Sequence, residues 1–176
     1  MKIVILTGSA HKNGTSAYLA QKFIEGATEA GHEIFRFDAA YKNVHPCIGC
    51  DNCRRTDSCT FQDDMNELNP HLIAADAVIL VSPIYYYDIN AQLKTVIDRF
   101  YANDEKLHSN KKAVLMVTMA DESMESAEGA LASFKGLTNF LGWEPVGTVV
   151  GNNSWTLDML KETNAPQQAY ELGKSM

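Results

Sequence analysis

The sequence has no run of basic residues. Its 15 Lys and Arg are outnumbered by 22 Asp and Glu, which gives a formal net charge of -7 and a pI near 5.2. Binding to a phosphate backbone needs a concentrated excess of cations, so a nucleic-acid partner is not expected. No apolar stretch approaches the ~18 residues of a membrane span, so no membrane partner is expected. The apolar opening residues lead into a glycine loop without the small-residue cleavage site of a signal peptide, and a cytoplasmic protein is expected. Repeats, linkers and low-complexity tracts are also missing, so residues 1–176 read as one domain with one core. Cysteine is absent everywhere except between Cys47 and Cys59, which holds all four.

The patterned segments alternate between two periods. Ile3 to Thr7 reads as a buried strand, and Ala20, Phe23, Ile24 and Ala27 recur at helical spacing until Gly31 closes the segment. Glu33 to Asp38 is a second strand. Residues 41 to 62 show neither period and read as a long functional loop. Asp63 and Asp64 can cap a helix through Met65, Leu68, Leu72 and Ile73, with a kink or restart expected at Asn69-Pro70. Ala77 to Val81 is a strand buried on both faces and ending at Ser82-Pro83, followed by an aromatic loop and a helix from about Asn90. Ala113 to Thr118, a helix from Ala127 to Leu141, and Pro145 to Val150 repeat the order. The tail from Gly151 to Thr163 is ambiguous, and a short helix spans Pro166 to Gly173. Five strands alternating with helices specify an α/β fold, a doubly wound parallel sheet with helices on both faces. Its ligands bind beyond the C-terminal strand ends, which directs attention to the loops at 8–16, 83–89 and 118–124.

The first of these loops reads Gly8-Ser9-Ala10-His11-Lys12-Asn13-Gly14-Thr15-Ser16. Five residues separate its glycines and no lysine follows Gly14, so it is not a nucleoside-triphosphate loop, nor does it match Gly-x-Gly-x-x-Gly. Backbone N–H groups and hydroxyls at a helix start suit a phosphate monoester, although Ser9 and Thr15 would also serve as simple helix caps. The second loop, Pro83-Ile84-Tyr85-Tyr86-Tyr87, sets aromatics at a strand end where a core does not need them. A flat heteroaromatic ring carrying a distal phosphate satisfies both loops, and FMN is such a molecule.

The cysteines run Cys47-x2-Cys50-x2-Cys53-x5-Cys59. Three thiols at this interval can converge on one centre and the fourth can complete it, a spacing close to that of ferredoxins and suited to a 4Fe-4S cluster. Tetrahedral zinc and free thiols are the alternatives, and disulfides do not suit a cytoplasmic chain. The remaining histidines show no metal-binding spacing.

The opening strand with Gly8-Ser9 to Ser16, the Ser82-Pro83-Ile84-Tyr85 loop, and Ala91-Gln92-Leu93-Lys94 to Ile97-Asp98-Arg99 together resemble the flavodoxin-like NAD(P)H-dependent FMN reductase family. The four-cysteine stretch followed by Asp63-Asp64-Met65 is similar to its iron-sulfur flavoprotein branch. The resemblance implies phosphate contacts at Ser9, His11, Asn13, Gly14, Thr15 and Ser16, and ring contacts at Pro83, Ile84, Tyr85 and Tyr86. Backbone groups at Thr118, Met119 and Ala120 would close the site. The chain departs from the family pattern at His11, at Tyr87-Asp88 and in the glycine-free Met119-Ala120-Asp121-Glu122. The family implies a homodimer or homotetramer and an FMN-dependent oxidoreductase. Its donor would be NAD(P)H or a ferredoxin-like carrier, and its acceptor a flavin or quinone. A non-catalytic carrier of the flavodoxin type is the other function open to such a chain. The flavin carries the chemistry, so no side chain is assigned as a catalytic acid or base.

Overall fold

A computed structural model describes residues 1–176. The elements run β1 (Lys2–Thr7), α1 (Thr15–Glu29), β2 (Glu33–Asp38), α2 (Asn52–Thr56), α3 (Met65–Ala74), β3 (Ala77–Tyr85) and β4 (Asp88–Ile89). They continue with α4 (Ala91–Asp98), α5 (Asp104–Leu107), β5 (Lys112–Thr118), α6 (Glu128–Leu141), β6 (Glu144–Gly151), α7 (Leu157–Lys161) and α8 (Ala165–Ser175). The sheet has the order β2-β1-β3-β5-β6, all parallel, and β4 adds an antiparallel hairpin to the far end of β3. No helix is long and apolar enough to cross a membrane.

The strands alternate their side chains between two cores, as a period of two requires. Ile3, Ile5, Ile79, Val81, Val114 and Met116 face one side, where they meet Leu19 and Phe23 of α1 and Ala169 of α8. Val4, Leu6, Val78, Leu80, Leu115 and Val117 face the other, against Leu68 and Leu72 of α3, Leu93 and Val96 of α4, and Phe134 of α6. Both faces are therefore dry, which is why these strands carry continuous apolar runs.

Three local expectations change. First, α3 passes through Pro70 as one helix, because Leu68 and Leu72, both fully buried on either side of it, hold that face to the sheet. Second, β3 does not stop at Ser82 but continues in register with β5 as far as Pro83 opposite Thr118. Its other neighbour, β1, has ended at Thr7 opposite Val81, so Pro83 occupies an edge where a missing N–H costs no ladder bond. Third, the aromatic loop is a tight hairpin: Tyr85 pairs with Asp88, and Tyr86 and Tyr87 between them both take left-handed backbone (φ 49° and 69°). That geometry belongs to a type I′ turn and is strained for a bulky residue. Packing holds it, since Gly129 of α6 lies so close that a Cβ there would sit 2.2 Å from the Tyr87 carbonyl oxygen, and Ser133 donates to Asp88 at 3.1 Å.

The tail supplies more than a short helix. α8 lies across α1 at backbone distance: a Cβ on Gly26 would fall 2.0 Å from the Tyr170 carbonyl oxygen. Replacing Gly26 by Ala should therefore destabilise the fold by about 1–3 kcal/mol or more through overpacking. Gly136, in the middle of α6, has nothing within 4 Å of its would-be Cβ, and Gly136→Ala should stabilise by about 0.5–1 kcal/mol. Urea unfolding of both variants checks the pair, and equal midpoints would contradict the packing described.

Candidate functional site

Strand order reverses between β1 and β3, and the ends of these strands are fixed to each other before any ligand is considered. The Asn90 side chain, 1% exposed, donates through Nδ2 to the Gly8 carbonyl at 2.5 Å and accepts through Oδ1 from Ser82 Oγ at 3.0 Å. The Asn90 backbone N–H in turn donates to Ser82 Oγ at 2.9 Å. Gly8 must lack a side chain here, because a Cβ would lie 1.9 Å from Asn90 Oδ1. The loop from Ser9 to Gly14 leaves this junction and delivers α1 with Gly14 at its N-cap and no side chain capping it.

The hydroxyls of this loop are not used as caps. Ser9 Oγ accepts from the His11 backbone N–H at 3.1 Å, which curls the loop on itself. Thr15 and Ser16 instead meet the end of β5, with their hydroxyls 2.9 Å and 2.8 Å from Thr118 Oγ1. The backbone donors at the start of α1 are thus free of side-chain partners, the arrangement that accepts an anion. His11, Lys12 and Asn13 are exposed at its rim, with the Lys12 ammonium 4.8 Å from the centre of the Tyr41 ring.

A cleft of about 630 Å³ opens above these groups, within the range of cofactor pockets. Its floor is Ser9 to Ser16, one wall is Pro83, Ile84 and Tyr85, and Thr118 and Met119 close the third side. Of the residues expected from the sequence, Tyr86 and Ala120 do not line it: Tyr86 points away at the hairpin tip, 99% exposed, and Ala120 lies outside on the surface. Ser154, Trp155 and Leu157, from the segment after β6, line it unexpectedly. Ser154 anchors that segment, bonding its N–H to the Met119 carbonyl at 2.8 Å, and leaves the Trp155 indole 79% exposed at the cleft. The signal available was position alone, because Trp155 follows a strand end on the same edge of the sheet as the other three loops.

The cysteine stretch is built on a closed base. Asn43 and Asp64 exchange backbone and side-chain bonds, His45 N–H donates to Asp63 Oδ2 at 3.0 Å, and the His45 and Phe61 rings stack at 3.7 Å. Arg99, immediately after α4, clamps this base with Nη1 on Asp63 Oδ2 (2.5 Å) and on the His45 carbonyl (2.7 Å), and Nη2 on Asp63 Oδ1 (3.2 Å). Burial alone would raise the Asp63 carboxyl, but Arg99 and the His45 and Met65 backbone N–H groups outweigh it and hold the group below the usual carboxylate range. Above the base, Cys47 and Cys50 are exposed and Cys53 and Cys59 half-buried, all as free thiols. The expected convergence on one centre is not seen, and no three His, Cys, Asp or Glu side chains come together as a metal site. Polar contacts set this shape. Asn52 and Thr56 of α2 bond to Ser58, and Tyr101 joins Asp51 and Arg54 from outside at 2.9 Å and 2.5 Å.

An uncapped helix start and an apolar wall at the switch point are thus joined in one cleft. A family model described as NADPH-dependent FMN reductase matches residues 1–159. The chain belongs to this family. It is 36% identical over 99 residues to an iron-sulfur flavoprotein of Archaeoglobus fulgidus, a match covering 56% of this chain and 45% of the other. A second iron-sulfur flavoprotein of the same organism is 27% identical over 180 residues, covering 96% and 89%. The chain thus spans about half the length of the first curated relatives it matches. Among solved structures, the NAD(P)H:quinone oxidoreductase of Methanothermobacter marburgensis superposes with a TM-score of 0.76 at 19% identity over 98% of this chain and 94% of the other, which shows a shared fold.

For this FMN reductase family member the Asp63 carboxylate predicts a pH response. Its folded-state pKa lies below the unfolded value near 3.9, so its contribution is complete above that value and is lost as pH falls through the folded pKa. Limited proteolysis within residues 46–60 should accelerate below about pH 4. The Asp63→Asn protein should be cut rapidly at pH 7 as well, with little further change on acidification; equal resistance of the two proteins at pH 7 would contradict the clamp.

Proposed function

We propose that this protein binds FMN in the cleft and acts as an FMN-dependent oxidoreductase, taking electrons from NAD(P)H or a ferredoxin-like carrier and passing them to a small acceptor such as a flavin or quinone. The observation that carries this reading is the single cleft in which the uncapped start of α1 and three hydroxyls face an apolar wall across the β1/β3 switch point. FMN supplies hydride and single-electron chemistry when bound. Ser9, His11, Asn13, Gly14, Thr15 and Ser16 seat its phosphate. Pro83, Ile84 and Tyr85 would cover the ring, and Thr118 and Met119 would close the remaining side. The protein's own part is to orient the ring, exclude water from one face and leave the other open, with no side chain moving a proton.

Cys47, Cys50, Cys53 and Cys59 hold a 4Fe-4S cluster in this reading. Four thiols and no competing carboxylate within thirteen residues except Asp51 and Asp57 form a donor set suited to iron and sulfide, and the iron-sulfur flavoprotein relatives carry that name. The stretch takes left-handed backbone at Gly49, Asp51 and Asp57. We place the protein in the cytoplasm as a single-domain homodimer or homotetramer.

Protein purified without oxygen should show a flavin spectrum, about four irons per chain and steady NADPH or NADH oxidation with a quinone. Cys50→Ser should lose the iron and keep the flavin. A protein that takes up no FMN would overturn the oxidoreductase reading, whereas full flavin with no iron would remove the cluster alone.

A further inference from the structure

The face of the sheet that packs on α1 changes character at one corner. Ile3 and Ile5 of β1 are fully buried on that face and Ile34 of β2 packs with them, but farther along it stand Thr7 on β1 and Arg36 and Asp38 on β2. In the parallel register Arg36 lies opposite Ile5 and Asp38 opposite Thr7. From α1 only Ala17 reaches this corner, and a notch of about 330 Å³ is left between the strand ends, His11, Lys12 and the Tyr41 ring. Ser9, His11 and Lys12 also line the cleft, so cleft and notch share that loop as a wall.

The polar groups of the notch are half used. Asp38 Oδ1 accepts from Thr7 Oγ1 at 2.5 Å and from Arg36 Nε at 2.8 Å, whereas Asp38 Oδ2 and both Arg36 Nη atoms have no protein partner. The Lys12 ammonium has no carboxylate partner either and lies 4.8 Å from the centre of the Tyr41 ring, which is held by its hydroxyl donating to the Ala10 carbonyl. Two cations against one carboxylate give this corner a surplus positive charge in a chain of net charge -7. β2 is an edge strand, and a charge pair there serves to discourage pairing with other chains, but that role needs neither a second cation nor a cavity. A free pair of guanidinium Nη atoms is a bidentate seat for a phosphate. In sheets that bind dinucleotides, a carboxylate just after the second strand holds a ribose hydroxyl and an arginine beside it accommodates a ribose phosphate; here both groups stand together without the glycine fingerprint of those sheets.

We propose that the notch binds the phosphorylated ribose of an adenine dinucleotide, with Arg36 Nη and Lys12 Nζ on the phosphate and Asp38 Oδ2 accepting from a ribose hydroxyl. Two sources share this chemistry: the adenosine end of NADPH, with its phosphate at the ribose 2′ position, and that of FAD, with its phosphate at the 5′ position. The choice between them rests on the oxidoreductase reading given above; the binding of a ribose phosphate does not.

Calorimetric titration of flavin-free protein with adenosine 2′-monophosphate and adenosine 5′-monophosphate tests the site without any flavin. At least one of the two should bind wild type about 10-fold or more tightly than Arg36→Gln, the loss of one charge-assisted hydrogen bond. Lys12→Gln, at an exposed position, should weaken it in the same direction, and Arg55→Gln, an exposed arginine of α2, should leave it unchanged. FMN affinity should be equal in wild type and Arg36→Gln. Preference for the 2′ isomer assigns the site to NADPH, and in FMN-loaded Arg36→Gln the KM for NADPH should then rise about 10-fold or more with the KM for NADH unchanged. Preference for the 5′ isomer assigns it to FAD, which should then bind flavin-free wild type more tightly than FMN and lose that advantage in Arg36→Gln. Failure of both mononucleotides to bind, or equal binding by wild type and Arg36→Gln, would overturn the proposal. Mononucleotide binding by a protein that takes up no FMN would refute the oxidoreductase reading and leave the ribose-phosphate site standing.

Discussion

The buried amide of Asn90 ties together the end of β1, the end of β3 and the start of α4. Each of its bonds lies where water is excluded, so removing any partner leaves an unsatisfied polar group at full cost. The constraint fixes the identity of Gly8, where any side chain would collide with the amide oxygen. It also fixes where the loop from Ser9 to Gly14 can go, and hence where the N-terminus of α1 points. From Asn90 the chain runs eight residues of helix, about 12 Å, to Arg99, whose ion pair pins the base of the cysteine stretch. One short helix with a buried polar group at each end thus sets the positions of both candidate cofactor sites.

How much of this was readable depended on whether the determining forces were local. The strands at Ile3, Ala77 and Ala113 were legible because two-sided burial demands unbroken apolar runs. Three of the cleft loops followed from the rule that such sheets bind ligands at their C-terminal edge. The same rule applied to β6 would have reached Trp155, but the absence of any period after Gly151 hid the element that presents it. The Tyr86-Tyr87 turn carries no turn-forming residue, and its backbone is imposed by Gly129 and Ser133 from α6. Pro70 signalled a break that burial of Leu68 and Leu72 overrode. The cysteine spacing was plain, yet the shape of the stretch depends on Arg99, which holds His45 and Asp63, and on Tyr101, more than forty residues along the chain from its contacts at Asp51 and Arg54, and on no pattern within the stretch itself.

The acidic balance of the chain bears on how it holds an anion. A protein with seven surplus negative charges sets no arginine in the floor of its cleft, and the Lys12 ammonium there lies against the Tyr41 ring. Attraction for a phosphate must then come from the dipole and free N–H groups at the start of α1, with Ser9, Thr15 and Ser16 as supporting hydroxyls. Such a seat is specific in geometry and carries little long-range charge. On the proposed function it would distinguish FMN from riboflavin, which shares the ring and lacks the phosphate. Isothermal titration of flavin-free protein with each of the two is therefore the most direct test of the site. FMN should bind at least about 100-fold more tightly, the equivalent of two charge-assisted hydrogen bonds; equal affinities would contradict a phosphate seat at this loop and with it the assignment of the cleft.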